Sequence, residues 1–472
     1  MNKTKMIGTL GPSSSSYEVI REMIVSGVDV IRINMSYATF EFAKEAILNV
    51  RKINLEQKIE TGIMLDTRGP EVRIGGLEKP VIKLEKNKLI RIVYSDIIGN
   101  QDMISVPYKD IITHSKIGDE LYLNNASVKL VVVNKDEDTL VCSIKNDGVV
   151  KTESTINIPN VSFDIPFLSS YDKEIIKFAV EMQVDYLALS HVKEEMDVLD
   201  VNDELIGYND NNIQLISKIE NKQAIDEIDK ILKVSDGIII ARGDLGIELD
   251  IEKVPSIQKK LSKLVKEKEK ICVIATEMLA SMEDSEKPTR AEVSDVANAV
   301  LDQTDALMLG SETAVGNYPV QAVRTMNSII DEIEKEIDYN DLLLEISRNE
   351  EINISKAIAY SSVDSANRVK ASAIVCSTMS GTTAKDISNY RPSCPVIAVS
   401  PNSKVVRGLS INYGIIPLNV GMAENTDELV EISMAASKKI LNLNQGDKVV
   451  IVGSFPLESV NYTNFMKIEE VK

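Results

Sequence analysis

Eight short apolar runs, rich in β-branched residues, punctuate this chain: "KTKMIGTLG" (3–11), "VDVIRINMS" (28–36), "TGIMLDT" (61–67), "VDYLALS" (184–190), "IQLISKIE" (213–220), "SDGIIIARGD" (235–244), "KICVIATE" (270–277) and "TDALMLGSET" (304–313). Each ends in polar residues, and most lead into a helical pattern such as 254–268, where Ile257, Leu261, Leu264 and Val265 share one face. Continuous apolar strands alternating with amphipathic helices belong to a parallel sheet covered on both faces. Eight such units predict a closed (β/α)8 TIM barrel, with its functional residues at the C-terminal ends of the strands.

The runs follow one another at regular intervals except between the third and the fourth, where the gap demands an inserted domain. Within 72–155 the text turns to short alternating segments, "NKLIRIVYS", "DELYLNNASVKLVVVN" and "DTLVCSIKN", which predict a small all-β module. After the eighth run a charged helical stretch near 331–350 leads to "ASAIVCSTMSGTTAKDIS", "CPVIAVSPN" and "GDKVVIVGS", the alternation of a separate α/β domain. The expected division is 1–71 and 156–335 for the barrel, 72–155 for the insert and 345–472 for the C-terminal domain. That leaves roughly 255 residues for the barrel, the usual size.

At 472 residues the chain exceeds what one hydrophobic core can organise. A net charge of -19 with no basic patch argues against nucleic acid and anionic membranes as partners. No apolar run approaches the roughly 20 residues of a membrane span, and the N-terminus lacks the apolar core of a signal peptide. Four cysteines without a CxxC pair fit a reducing, cytoplasmic setting. With two histidines in the whole chain, a metal site must be built from oxygen ligands.

Glu220 ends the fifth run and Asp244 ends the sixth. Two carboxylates on neighbouring strands can share Mg²⁺ or Mn²⁺, hard cations that keep positions open for water or substrate oxygens. Lys218 points the same way at i−2, and the backbone of "ARGDLG", including Gly243, runs into a helix that can hold an anion. Structural ion pairs are the alternative for such strand-end charges. In the second run Arg32, Asn34 and Ser36 alternate onto one face beside Asp66 and Thr67 of the third. Those oxygens suit a monovalent cation, with Arg32 and Arg73 as phosphate clamps, or they satisfy local backbone groups.

The blocks "RINMS", "LDTRGPEVRIGG", "SKIEN", "SDGIIIARGDLGIEL", "IATEML" and "KPTRAEVSDVANAVLDQTDALMLGSETAVGNYP" resemble, in order, the signature segments of pyruvate kinases. The resemblance implies phosphoryl transfer between phosphoenolpyruvate and ADP in the last step of glycolysis, by a cytoplasmic homotetramer. It implies that Glu220 and Asp244 hold Mg²⁺ or Mn²⁺, that Lys218 neutralises the phosphoryl group in flight, and that Arg32, Asn34 and Arg73 bind nucleotide phosphates. It further implies that Asn34, Ser36, Asp66 and Thr67 hold K⁺, with Glu71 as the residue that accompanies K⁺ dependence. Thr276 would stand near the face where the enolate is protonated, and Gly243 and Asp244 would contact the substrate. In the C-terminal domain "STMSGTTA", with Ser377, Thr378, Ser380, Gly381, Thr382 and Thr383, resembles a phosphate loop for a sugar-phosphate or nucleotide effector.

The chain departs from the family pattern at Tyr37 and Ala38, Ser154, Asn160, His191 and Lys193, Glu277, Ala280, and Gly310 with Ser311. The later effector segment, 453–464, lacks the usual glycines. His191 reads as a satisfied rim histidine. Two other functions compete: a metal-dependent oxo-acid aldolase or lyase on a similar barrel, and a non-catalytic sensor of phosphoenolpyruvate or a sugar phosphate.

Overall fold

A computed structural model of the chain describes residues 2–124, 127–158, 166–210, 212–347, 352–421, 423, 425–454 and 462–472. Asn160 and residues 455–461 of the later effector segment lie outside the described residues.

The eight apolar runs form strands Lys5–Leu10, Val30–Asn34, Gly62–Asp66, Tyr186–Leu189, Gln214–Ile219, Gly237–Ala241, Ile271–Ala275 and Ala306–Leu309. All pair in parallel and the first pairs with the eighth, Lys5 opposite Ala306, so the sheet closes on itself. Closure explains the continuous apolar runs, because each strand is covered inside and out. Ile7, Val30, Met64, Ile216, Ile239 and Val273 fill the interior. On the outside Ile31, Ile33, Leu187, Ile238 and Ile274 pack under the helices. Helix Val254–Glu267 follows the expected pattern, with Leu261 and Val265 buried and Ile257 and Leu264 at the margin.

Between the third and fourth strands the chain makes a six-stranded sheet with its own apolar core, in which Val128–Lys135 and Thr139–Ile144 are central. Val81–Leu84 and Gly148–Lys151 pair beside it. The insert is rooted where Arg73 bridges Thr155 and the amides of Ile74 and Ile156 donate to Ser154 and Val72.

The C-terminal residues form a five-stranded sheet in the order Ile415–Asn419, Val396–Ser400, Ala373–Ser377, Lys448–Gly453, Phe465–Glu470, with the last strand antiparallel. This lobe sits under the N-terminal ends of the barrel strands. Ile411 joins the barrel's inner core, and the Tyr186 hydroxyl both accepts from the Ile411 amide at 3.2 Å and donates to the Arg407 carbonyl at 3.1 Å. Arg391 pairs with Asp305 at 2.7 Å, Arg407 with Asp185 at 3.0 Å and Lys404 with Asp210 at 2.6 Å.

Candidate active site

At the opposite, C-terminal end of the barrel lies a cavity of about 1470 Å³. It exceeds the ~300–1,000 Å³ common for one small ligand, so it has room for more than one. Two helix caps shape its loops. Asp172, capping helix Ser170–Glu181 in partnership with Ser169, also accepts from the Arg68 and Gly69 amides and holds the turn after the third strand. Glu292, the partner of Thr289 in a reciprocal cap, accepts from the Ser281 amide at 2.7 Å and holds the loop after the seventh. Gly69 is required in that first turn. Its φ is +71°, and an added Cβ would lie 2.5 Å from the Ser190 carbonyl oxygen.

Period two along the fifth strand aims Lys218 and Glu220 into the cavity together. Lys218 Nζ lies 2.8 Å from Glu220 Oε1 and 3.4 Å from Asp66 Oδ2, and it donates to Ser190 Oγ at 3.0 Å. Burial pulls this ammonium down, but Glu220 and Asp66 outweigh it and keep its pKa above the usual lysine value. Arg32 spans Asp66 and donates to Thr9 Oγ1 at 3.1 Å. Burial pushes the Asp66 carboxyl up, yet Arg32 and Lys218 hold it below its ordinary range. The centre is a lattice of alternating charges.

Asp244, in the first turn of helix Arg242–Glu248, is the exception. Its carboxylate makes no hydrogen bond or ion pair among the described residues, and burial together with the Glu220 charge pushes its pKa up to about 6. Asp244 thus lies in the helix after the sixth strand rather than at the strand's own end, and two mutually repelling carboxylates just beyond adjacent strands, one without a partner, fit a divalent cation. Among the described residues no three His, Cys, Asp or Glu side chains gather as a metal cage. A two-carboxylate site with the remaining ligands from water and substrate is the habit of Mg²⁺ rather than Zn²⁺.

Arg32, Asn34, Ser36, Lys218, Glu220, Gly243, Asp244 and Thr276 all line the cavity. Asp66 and Thr67 are buried just behind its wall, where Thr67 Oγ1 accepts from the Ser190 amide at 3.1 Å. Asn34 Oδ1 accepts from the Ser36 amide at 3.0 Å, so part of this oxygen cluster also serves the backbone. Arg73 stands outside the lining residues, engaged with Glu71 and donating to the Glu153 carbonyl at 3.0 Å. The Gly243 amide donates to Thr276 Oγ1 at 2.7 Å, and Thr276 itself has a positive φ of 70°. The C-terminal loop lies apart: the Gly381 amide donates to Thr378 Oγ1 at 2.9 Å and opens helix Thr382–Asn389, and Thr383 Oγ1 meets Thr463 Oγ1 at 2.7 Å.

Three neighbours have no functional role in the sequence reading. His191 is satisfied, as expected of a rim histidine, but its partners are site carboxylates: its Nδ1 lies 3.1 Å from Glu220 Oε2 and its Nε2 lies 3.5 Å from Glu71 Oε1. Glu312 is buried and accepts from the Leu279 and Gly310 amides at 3.0 and 2.7 Å. Arg242 reaches Asp295 at 2.7 Å. The spacing of these residues, far apart in the chain, gave no local signal.

The family model for the pyruvate kinase barrel domain matches residues 1–323, and that for the pyruvate kinase alpha/beta domain matches 356–469. The pyruvate kinase of Clostridium perfringens is 36% identical over 474 residues, spanning 100% of both chains. That of Clostridium acetobutylicum is 37% identical over 473 residues with the same coverage. The Bacillus licheniformis enzyme is 39% identical over 470 residues, 99% of this chain and 80% of its own.

Proposed function

Because the chain belongs to the pyruvate kinase family, we propose that it transfers the phosphoryl group of phosphoenolpyruvate to ADP, giving pyruvate and ATP. The observation that carries this reading is Lys218, a buried ammonium held between Glu220 and Asp66 at the wall of that cavity. Phosphoryl transfer asks chiefly for positioning and charge neutralisation. A compact cation fixed by two carboxylates supplies both without moving.

Glu220 and Asp244 would hold Mg²⁺ or Mn²⁺, which would supply positive charge to screen the negative charge of the transferred group. Lys218 faces the phosphoryl group as its bond to the enol oxygen breaks and a bond to the ADP β-phosphate forms. Arg32 stands ready for phosphate oxygens at the same wall, beside Asn34. Asn34, Ser36, Asp66 and Thr67 would hold K⁺, with Glu71 nearby. The enolate left behind gains a proton at its methylene carbon on the side of Thr276, whose hydroxyl is oriented by the Gly243 amide. That protonation makes the transfer favourable in the direction of ATP.

Arg73 acts at the root of the insert more than at the cavity wall. We read residues 72–155 as a lid over the site, 377–383 as a loop for a phosphorylated effector, and the working form as a homotetramer in the cytoplasm. No described helix is long and apolar enough to cross a membrane, and the four cysteines are free and buried. The test is pyruvate formation from phosphoenolpyruvate and ADP with Mg²⁺, with and without K⁺. Turnover that needs both cations supports the assignment; phosphoenolpyruvate binding without turnover overturns it.

A further inference from the structure

The fourth strand ends in Ser190 and His191, and His191 has a left-handed backbone, φ +59°. A non-glycine residue adopts that conformation at a cost, smaller for Asn, Asp and His than for others, and its surroundings sustain it. Here the turn lets one residue grip a single carboxylate oxygen twice. The His191 amide donates to Glu220 Oε2 at 2.6 Å, and the ring Nδ1 lies 3.1 Å from the same oxygen. Oε1 is left to Lys218. On its far side the ring Nε2 lies 3.5 Å from Glu71 Oε1, and the other Glu71 oxygen engages Arg73. Arg73 in turn donates to the Glu153 carbonyl and bridges Thr155, across the two chain segments that carry the insert.

We propose that His191 is a positioning residue, which fixes the Glu220 carboxylate for the metal and ties it, through Glu71 and Arg73, to the root of the inserted β module. The proposal rests on Glu220 being a metal ligand. An outer partner that orients a ligating carboxylate contributes about 10–100-fold to metal affinity. The two ring nitrogens have separate jobs, so they can be separated by substitution. In His191→Asn the amide nitrogen replaces Nδ1 and the reach to Glu71 is lost; Asn also tolerates the left-handed backbone. In His191→Gln the longer side chain reaches toward Glu71 and gives up Nδ1. His191→Phe loses both.

The experiment titrates Mn²⁺ into substrate-free protein by electron paramagnetic resonance, beside hydrogen exchange of the Ile74 and Ile156 amides at the root of the insert. The expected result is Mn²⁺ affinity about tenfold weaker in His191→Phe and His191→Gln and within about twofold of the parent in His191→Asn. Exchange at Ile74 and Ile156 accelerates in His191→Phe and His191→Asn and stays near parental in His191→Gln. Parental Mn²⁺ affinity in His191→Phe overturns the proposal. Should His191→Phe not fold, equal Mn²⁺ affinity in the Asn and Gln variants overturns it as well. Glu220→Gln is the control. Loss of Mn²⁺ binding there with parental binding in His191→Phe sinks this proposal alone, whereas unchanged binding in Glu220→Gln sinks the metal assignment and this proposal together.

Discussion

The ammonium of Lys218 lies 2.8 Å from the Oε1 of Glu220, two residues on and just beyond the end of the fifth strand. The pair faces one cavity because a strand returns to the same side every second residue. Replacing Lys218 by Met removes the charge that faces the phosphoryl group while keeping the length of the side chain. We expect kcat to fall about 10²–10³-fold, as for loss of one preorganised electrostatic donor, with a smaller change in KM. Lys218→Arg should not restore it, since a planar fork does not replace a point charge. Steady-state pyruvate formation by both variants decides the matter, and kcat within tenfold of the parent would count against the reading.

Asp244 should show the opposite balance between stability and activity. It is a half-buried carboxylate beside Glu220 without a partner of its own, so in metal-free protein it destabilises the fold. Asp244→Ala should abolish turnover yet raise the melting temperature in EDTA by about 1–2 °C. Calorimetry with and without Mn²⁺ checks both halves, because the added cation should stabilise the parent and leave the variant unmoved. A lower melting temperature for the variant in EDTA would refute it.

Under the barrel, Arg391 pairs with Asp305 in a fully buried contact between the lobes. Arg391→Met leaves Asp305 charged, buried and short of a cation. The cost should be about 3–5 kcal/mol, the usual penalty for stripping one partner from a buried pair. Urea unfolding followed by circular dichroism gives the number. The double variant with Asp305→Leu should recover much of the loss.

The second inter-lobe pair supplies an acid-sensitive link. Burial pushes the Asp210 carboxyl up, but Lys404 at 2.6 Å and the Asn212 and Ile213 amides outweigh it, so its folded pKa lies below the ordinary value. A depressed carboxyl gives stability that is fully present above its unfolded pKa of about 4 and is lost as pH falls through the folded value. Asp210→Asn should therefore be less stable than the parent near pH 7 and converge with it below about pH 3. Urea midpoints across that range test the convergence; a constant gap would show that Asp210 titrates normally.

The barrel was legible because closure buries each strand on both faces, which writes an unbroken apolar run at eight places. Lys218 and Glu220 were legible for a local reason, the period of the strand. The link from Glu71 through His191 to Glu220 was not, since its members follow three different strands far apart in the chain, and only the parallel pairing of the third, fourth and fifth strands brings them together. Arg73 reads in the sequence as a phosphate clamp, and nothing in "PEVRIGG" announces that its guanidinium turns to Glu71 and the Glu153 carbonyl. Two C-terminal strands also escaped notice. Ile415–Asn419 carries Pro417, which weakens a strand pattern, and Phe465–Glu470 is an edge strand interrupted by Lys467, Glu469 and Glu470.

Closure of the sheet through Lys5 and Ala306 sets an order of events during synthesis. A ribosome adding roughly 5–20 residues per second makes the first strand wait about 15–60 s for its eighth partner, and the seat for Tyr186 at Ile411 emerges later still. Throughout that interval both edges of the growing sheet are open to strands of other chains. The finished molecule has no free barrel edge, so the same topology that protects it in its mature state leaves it most prone to aggregate while it is being made.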